Sequence, residues 1–256
     1  MNKFVVISCT DNDDYIFYLP IVTWAWRKIG WGTLVISECP LTKKFNYIVN
    51  SFSSQLFKLS EFPEYSKETI AQCERLYISN WTQGHIYIMV SDCDMLPLND
   101  YWKPDLEGIT CYGRDLSDEH YPMCYIGCKS EKWTELMNLT GDGEKDIKRD
   151  LDNEKEILWV TDQNIITRRL NERNDITRID RGINPESGYP IGRVDRSSWQ
   201  KSLLQKERID AHLFRAGYLE ENWVRIISLI KECFNPTKEE IDFFENYRNG
   251  YLKFLQ

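Results

Sequence analysis

Two aspartates, Asp92 and Asp94, stand one residue apart in Ser91-Asp92-Cys93-Asp94, directly after the apolar run Ile86 to Val90. In an extended chain, residues two apart project to the same side, so both carboxylates can be presented together. Two carboxylates that close repel, and one is driven towards protonation unless a cation sits between them. Hard oxygen ligands at the carboxyl end of a central strand suit Mg²⁺ or Mn²⁺ carrying a phosphate-bearing ligand. The plainer alternative is a strand-end turn whose aspartates cap loop amides.

The elements around the pair decide between these. Ile86 to Val90 is apolar or aromatic throughout and rich in β-formers, which predicts a strand buried on both faces. Pro97 then bars a simple continuation of the ladder. Phe4 to Ile7 predicts a first buried strand, ending in Ser8-Cys9-Thr10 and the polar turn Asp11 to Asp14. A helix follows from near Pro20 to Lys28, with Val22, Trp26 and Ile29 on one face and Gly30 as its stop. Thr33 to Ser37 and Gln55 to Leu59 read as strands, Phe45 to Phe52 fits helix or strand, and Lys67 to Tyr77 is a helix feeding the strand at Ile86. This alternation argues for an α/β fold with a mostly parallel sheet and right-handed crossovers.

Past the aspartates the rhythm loosens. Ile109 to Tyr112 and Met123 to Ile126 predict short strands, Ser130 to Leu139 a helix, and Gly141 to Asn153 a charged surface segment. Thr161 or Asp162 can serve as N-cap of a helix reaching Leu170. Ile183 to Trp199 holds glycines and prolines without periodicity, a loop long enough to act as a lid. Ile209 to Phe214 is a short strand containing His212. Helices over Trp223 to Phe234 and Lys238 to about Leu255 form a helical C-terminus, the second opened by a capping box at Thr237. No repeat or linker interrupts the pattern, so a single domain over 1–256 is expected.

Composition narrows the partners. With 42% hydrophobic and 28% charged residues, the chain can bury a full core. A net charge of -8 argues against nucleic acid or an anionic membrane as partner. A bound divalent ion would invert the local field and still admit a phosphorylated ligand. The eight cysteines are scattered without C-x-x-C, which reads as reduced thiols rather than a disulfide framework or zinc site. No signal-like or membrane-spanning run is seen, so a cytoplasmic protein with no membrane span is expected.

A first strand ending in a polar turn with Tyr15, a D-x-D after a later buried strand, an acidic residue opening a helix downstream and a late histidine resemble the GT-A fold of nucleotide-sugar glycosyltransferases. The resemblance runs from about Phe4 to Trp223, and the Asp162-Gln163 pair with His212 is most similar to the family-8 group. It implies a Rossmann-like, metal-dependent transferase moving a sugar from a nucleoside-diphosphate donor, a UDP-sugar foremost, to a hydroxyl acceptor such as a glycan. By the same resemblance Asp94 and Asp92 bind Mn²⁺ or Mg²⁺, and His212 is the third ligand through a neutral ring nitrogen. Asp92 with Ser91 also reaches the donor. Thr10, Asp11 and Tyr15 receive the base, while Arg75, Arg114 and Arg215 face phosphate or sugar hydroxyls. Asp162 and Gln163 lie beside the transferred sugar as the catalytic pair, with Asp162 kept ionised by the positive end of its helix.

Each residue has a plainer reading too. His212 can be a satisfied structural histidine, Arg75 an exposed helix residue, and Asp162 an N-cap worth about 1 kcal/mol. The family-8 pattern sets a glycine, a lysine and a tryptophan at short spacing after the histidine. Here Arg215, Gly217 and Trp223 follow His212 with no lysine, so Arg215 takes the phosphate-binding place through a bidentate fork. Retention and inversion at the sugar both stay open. Two rivals are a haloacid-dehalogenase-type phosphatase, whose D-x-D normally sits on the first strand, and a non-catalytic carbohydrate- or nucleotide-binding protein of the same fold. A sugar-nucleotide pyrophosphorylase needs an N-terminal glycine-rich loop, which Ser8 to Tyr15 lacks.

Overall fold

The computed structural model of the chain describes residues 1–37, 39, 41–57, 62–82, 84–113 and 120–256. Its elements begin β1 (Asn2–Cys9), α1 (Asp13–Ile16), α2 (Leu19–Lys28), β2 (Gly32–Ser37), α3 (Lys43–Val49), β3 (Gln55–Phe57) and α4 (Lys67–Glu74). A 3₁₀ turn, Arg75–Asn80, leads to β4 (Ile86–Ser91) and β5 (Met95–Pro97). Next come β6 (Ile109–Tyr112), β7 (Ile126–Lys129), α5 (Ser130–Met137), α6 (Gly143–Asp152), α7 (Thr161–Asn171) and β8 (Ile176–Ile179). The chain finishes with β9 (Arg193–Asp195), α8 (Trp199–Leu203), β10 (Asp210–His212), α9 (Glu220–Phe234) and α10 (Lys238–Leu252).

Seven strands form the main sheet in the order β3-β2-β1-β4-β7-β6-β8. Neighbours are parallel except at β7, which runs antiparallel to β4 and β6. This is the expected α/β architecture, compatible with a Rossmann-like fold. The period of two along β1 and β4 explains it. Val5, Ile7, Tyr87 and Met89 feed a core shared with α2, α3, α9 and α10, while Val6, Ile88 and Val90 feed a second core shared with α4 to α7. Both faces are therefore covered, and each fully buried aliphatic contributes roughly 1.5–3 kcal/mol.

Local signals set the helix ends. α2 carries Pro20 in its first turn, and Gly30 just past its end has φ +82, a conformation that costs a side-chain-bearing residue energy. At α10 the Thr237 hydroxyl and the Glu240 carboxylate each accept the other's backbone N–H, as the capping-box sequence predicts.

A second sheet of three strands, order β5-β10-β9, packs beside the first. The D-x-D is the turn where the chain leaves one sheet for the other: β4 ends at Ser91, the Met95 N–H donates to the Asp92 carbonyl at 3.3 Å, and β5 begins at Met95. The extended geometry expected for Asp92 and Asp94 is thus replaced by a turn.

Several expectations shift. The ambiguous Phe45 to Phe52 stretch is α3, and the helix expected to Tyr77 tightens into a 3₁₀ turn at Arg75. The third strand is described only as far as Phe57, since residues 58–61 lie outside the described residues. The strand expected at Met123 begins at Ile126 instead. Gly141 to Asn153 is no surface segment: it is mostly α6, whose Ile147 and Leu151 are core, with Asp146 and Asp150 buried and paired to Arg149. Thr161 and Asp162 are not N-caps, because Val160 takes that place without a side-chain hydrogen bond. Nor is Ile183 to Trp199 a free lid, since β9 within it pairs with β10 and buries Val194 and Asp195. Among the described residues no helix is long and apolar enough to cross a membrane.

Candidate functional site

β1 and β4 are parallel neighbours, so their carboxyl ends open on one edge of the sheet. A cleft of about 460 Å³ lies there, lined by Thr10 just after β1, Tyr15 of α1, and Asp92 and Asp94 after β4. Arg75, Asp162, Gln163, His212 and Arg215 line it as well. Asp11 is exposed and off the cleft wall, its carbonyl accepting from Lys44 at 3.4 Å. Ser91 is fully buried and also off the wall. Arg114 falls outside the described residues.

The second sheet brings the late histidine to the aspartates. Its register sets Met95, His212 and Asp195 side by side on β5, β10 and β9. His212 Nε2 accordingly lies 3.2 Å from Asp94 Oδ2, and its Nδ1 3.0 Å from Asp195 Oδ2. Burial pushes the imidazole pKa down, but the bonds to Asp195 and Asp94 outweigh it and raise it to about 9. The two carboxylates thus favour the protonated ring, whereas a metal ion at Asp94 would need the neutral one. Asp195 is buried too. Burial pushes its carboxyl up, and bonds from His212 and Ser197 bring it below the usual range.

Arg75 is the hub of the other half. Its guanidinium is 5% exposed and donates to the Ser91 carbonyl at 3.0 Å, to Asp92 Oδ1, and to Asp162 Oδ2 at 2.9 Å. It is a buried clamp, not an exposed helix residue. Burial raises the Asp162 carboxyl above its ordinary value, outweighing Arg75 and the Gln163 N–H, which favour the ionised form. For Asp92 the balance tips the other way: burial raises it, while Arg75 and the Cys124 thiol hold it below the usual range. That thiol donates to Asp92 Oδ2 at 2.8 Å.

At the far end of the cleft, α1 starts with Asn12 as its cap, and Tyr15 is half-buried on that helix. Asp14 accepts the Ala216 N–H at 2.7 Å, and the Tyr18 hydroxyl donates to the Phe214 carbonyl, so both ends of Arg215 are pinned. Any side chain at Gly217 would collide with the Tyr18 hydroxyl. Arg215 itself is exposed at the cleft.

In kind, the donor set suits a hard divalent cation: two cleft carboxylates, and a histidine with a carboxylate behind it to orient the ring. As the side chains stand, their charge is met by arginine. Arg75 pairs with Asp92, and Arg196 Nη1 donates to Asp94 Oδ2 at 3.0 Å. Among the described residues no group of three His, Cys, Asp or Glu side chains is spaced to hold a metal ion.

Arg196, Asp195, Gln72 and Trp159 belong to or support this cleft and were not singled out from the sequence. Arg196 and Asp195 lie in a stretch without periodicity, and only the pairing of β9 with β10 brings them to the site. Trp159 did carry a signal, an aromatic side chain just ahead of Asp162. No protein-family model matches this chain, and no curated protein matches it in sequence.

Proposed function

We propose that the cleft belongs to a GT-A-type glycosyltransferase, which moves a sugar from a nucleoside-diphosphate donor, a UDP-sugar foremost, to a hydroxyl acceptor such as a glycan. One observation carries the reading: residues far apart in sequence, Thr10, Tyr15, Arg75, Asp92, Asp94, Asp162, Gln163, His212 and Arg215, converge on one cleft at the carboxyl edge of the sheet.

In this reaction the bond from the anomeric carbon to the diphosphate oxygen breaks, and its electron pair leaves with the nucleoside diphosphate. The acceptor oxygen bonds to that carbon, and its proton passes to Asp162 or to the departing diphosphate. Tyr15 and Thr10 hold the base, and Arg215 binds the diphosphate with a fork of donors. Asp92, Asp94 and His212 would hold a Mn²⁺ or Mg²⁺ ion, which would supply Lewis-acid stabilisation of the leaving group. Binding there would require Arg196 to release Asp94, freeing its guanidinium for the same phosphates, and His212 to give up the proton on its Nε2. Arg75 keeps Asp162 aimed at the sugar, where the carboxylate either stabilises positive charge on the ring or takes the acceptor proton.

The test is a thermal-shift panel of UDP-, GDP-, dTDP- and CMP-sugars with and without Mn²⁺, followed by product analysis with oligosaccharide acceptors. A Mn²⁺-dependent rise in melting temperature together with a glycosylated product supports the reading. Stabilisation without transfer or donor hydrolysis would make this a binding protein. Release of inorganic phosphate from phosphate monoesters would favour the phosphatase.

A further inference from the structure

Trp159 is the outlier among the nine tryptophans of the chain. The others are buried or half-buried, whereas Trp159 keeps 66% of its surface exposed. Ile157 and Leu158 before it are 38% and 44% exposed. Of these three contiguous exposed apolar side chains, Trp159 lines the cleft, which makes it a candidate contact.

The turn that presents the indole is pinned. The Leu158 N–H donates to the Thr161 hydroxyl at 2.8 Å, the Thr161 N–H donates back to the Leu158 carbonyl at 3.1 Å, and Thr161 is fully buried. The aromatic plate therefore stands on fixed backbone immediately before α7, which carries Asp162 and Gln163. Glu68 and Gln72 of α4 line the same cleft and supply a carboxylate and an amide. A sugar ring has one face of C–H groups and a rim of hydroxyls, and an aromatic on fixed backbone beside such polar groups matches both. In the transferase reading the nucleotide base does not need this aromatic, since Tyr15 of α1 lines the far end of the cleft.

We propose that Trp159 is the stacking platform of an acceptor-sugar subsite, with the Glu68 carboxylate accepting hydrogen bonds from the ring hydroxyls and the Gln72 amide accepting from or donating to them. The word acceptor rests on the transferase reading above; the sugar platform itself does not. A chain arriving from solvent would stack its terminal ring on the indole and offer a hydroxyl beside Asp162.

Because Trp159 is so much more exposed than the other tryptophans, iodide quenching of intrinsic fluorescence isolates it. Trp159→Phe should remove the iodide-accessible component. In the wild type that component should be shielded by at least one of a panel of cello-, malto-, xylo-, chito- and galacto-oligosaccharides. For that sugar, Trp159→Ala should raise the acceptor KM on the order of tenfold, Trp159→Phe should keep most of the affinity, and the donor KM should carry little of the change. Absence of shielding by every oligosaccharide overturns the proposal, as does an unchanged acceptor KM in Trp159→Ala. Shielding by octyl glucoside or neutral lipid vesicles, but by no free sugar, would assign the surface to an apolar partner and overturn it too. Shielding by an oligosaccharide without transfer from any sugar nucleotide would sink the transferase reading and leave the platform standing. Transfer without shielding would do the reverse.

Discussion

Arg75, which ends α4, and Asp162, in the first turn of α7, meet at 2.9 Å with each side chain only 5% exposed. The same guanidinium also holds Asp92, so one buried cation sets the spacing between the proposed metal-binding turn and the proposed catalytic carboxylate. Breaking such a pair leaves an uncompensated charge, at a cost of about 3–5 kcal/mol. Asp162→Asn keeps an oxygen for Arg75 and removes only the charge. Its turnover should fall by ~100-fold or more with nucleotide affinity little changed, as kinetics and calorimetry can show side by side. A near-wild-type rate would mean that Asp162 serves only to anchor Arg75.

Asp94 tests the metal. The carboxylate is 4% exposed and contacts both Arg196 and His212, so truncation to alanine would strand two cationic groups as well as remove a ligand. Asp94→Asn is the cleaner variant. It should abolish the Mn²⁺-dependent part of both activity and melting-temperature rise, while the ligand-free protein stays folded. Full Mn²⁺ stabilisation in Asp94→Asn would remove this residue from the metal site.

Tyr15 tests the other end of the cleft. If the nucleotide base stacks on its ring, Tyr15→Ala should weaken nucleoside diphosphate binding by roughly 1–3 kcal/mol, the range for base–aromatic stacking, with a smaller effect on turnover. Calorimetry reads this directly. Unchanged affinity would place the base elsewhere.

What could be read in the sequence followed from strong periodicity. β1, β4, α2 and α10 were legible because long apolar runs and end signals agreed, and the D-x-D was legible because it follows a buried strand. α6 was masked by its charges: Ile147 and Leu151 sit four apart among acidic and basic residues, and two of those acids are buried against Arg149. β8 is short and half-buried, so its residues alone do not separate strand from loop. The partners of Asp94 and His212 were out of reach for a different reason. Asp195 and Arg196 owe their place to β9 pairing in a three-stranded sheet, and no local pattern encodes that contact.

That small sheet also holds a pH-dependent store of stability. Asp210 on β10 is fully buried between Arg181 and Arg193, at 3.2 and 2.9 Å. Burial pushes its carboxyl up, but the two guanidinium groups overcome it and hold the pKa at about 2. A folded-state value below the unfolded one means that the ionised form stabilises the fold. The contribution is present above the unfolded value near ~4, and is lost as pH falls through the folded value; it amounts to about 2 kcal/mol at neutral pH. Asp210→Asn should cost more than that, about 3–5 kcal/mol, because two buried arginines would then face one neutral amide. The same variant should flatten the acid limb of the stability profile, and by loosening β10 it should also reduce Mn²⁺ stabilisation through His212. Urea unfolding at pH 7, with and without Mn²⁺, and at two points between ~4 and ~2 reads all three. An acid limb as steep in Asp210→Asn as in the wild type would assign the pH dependence to other carboxylates.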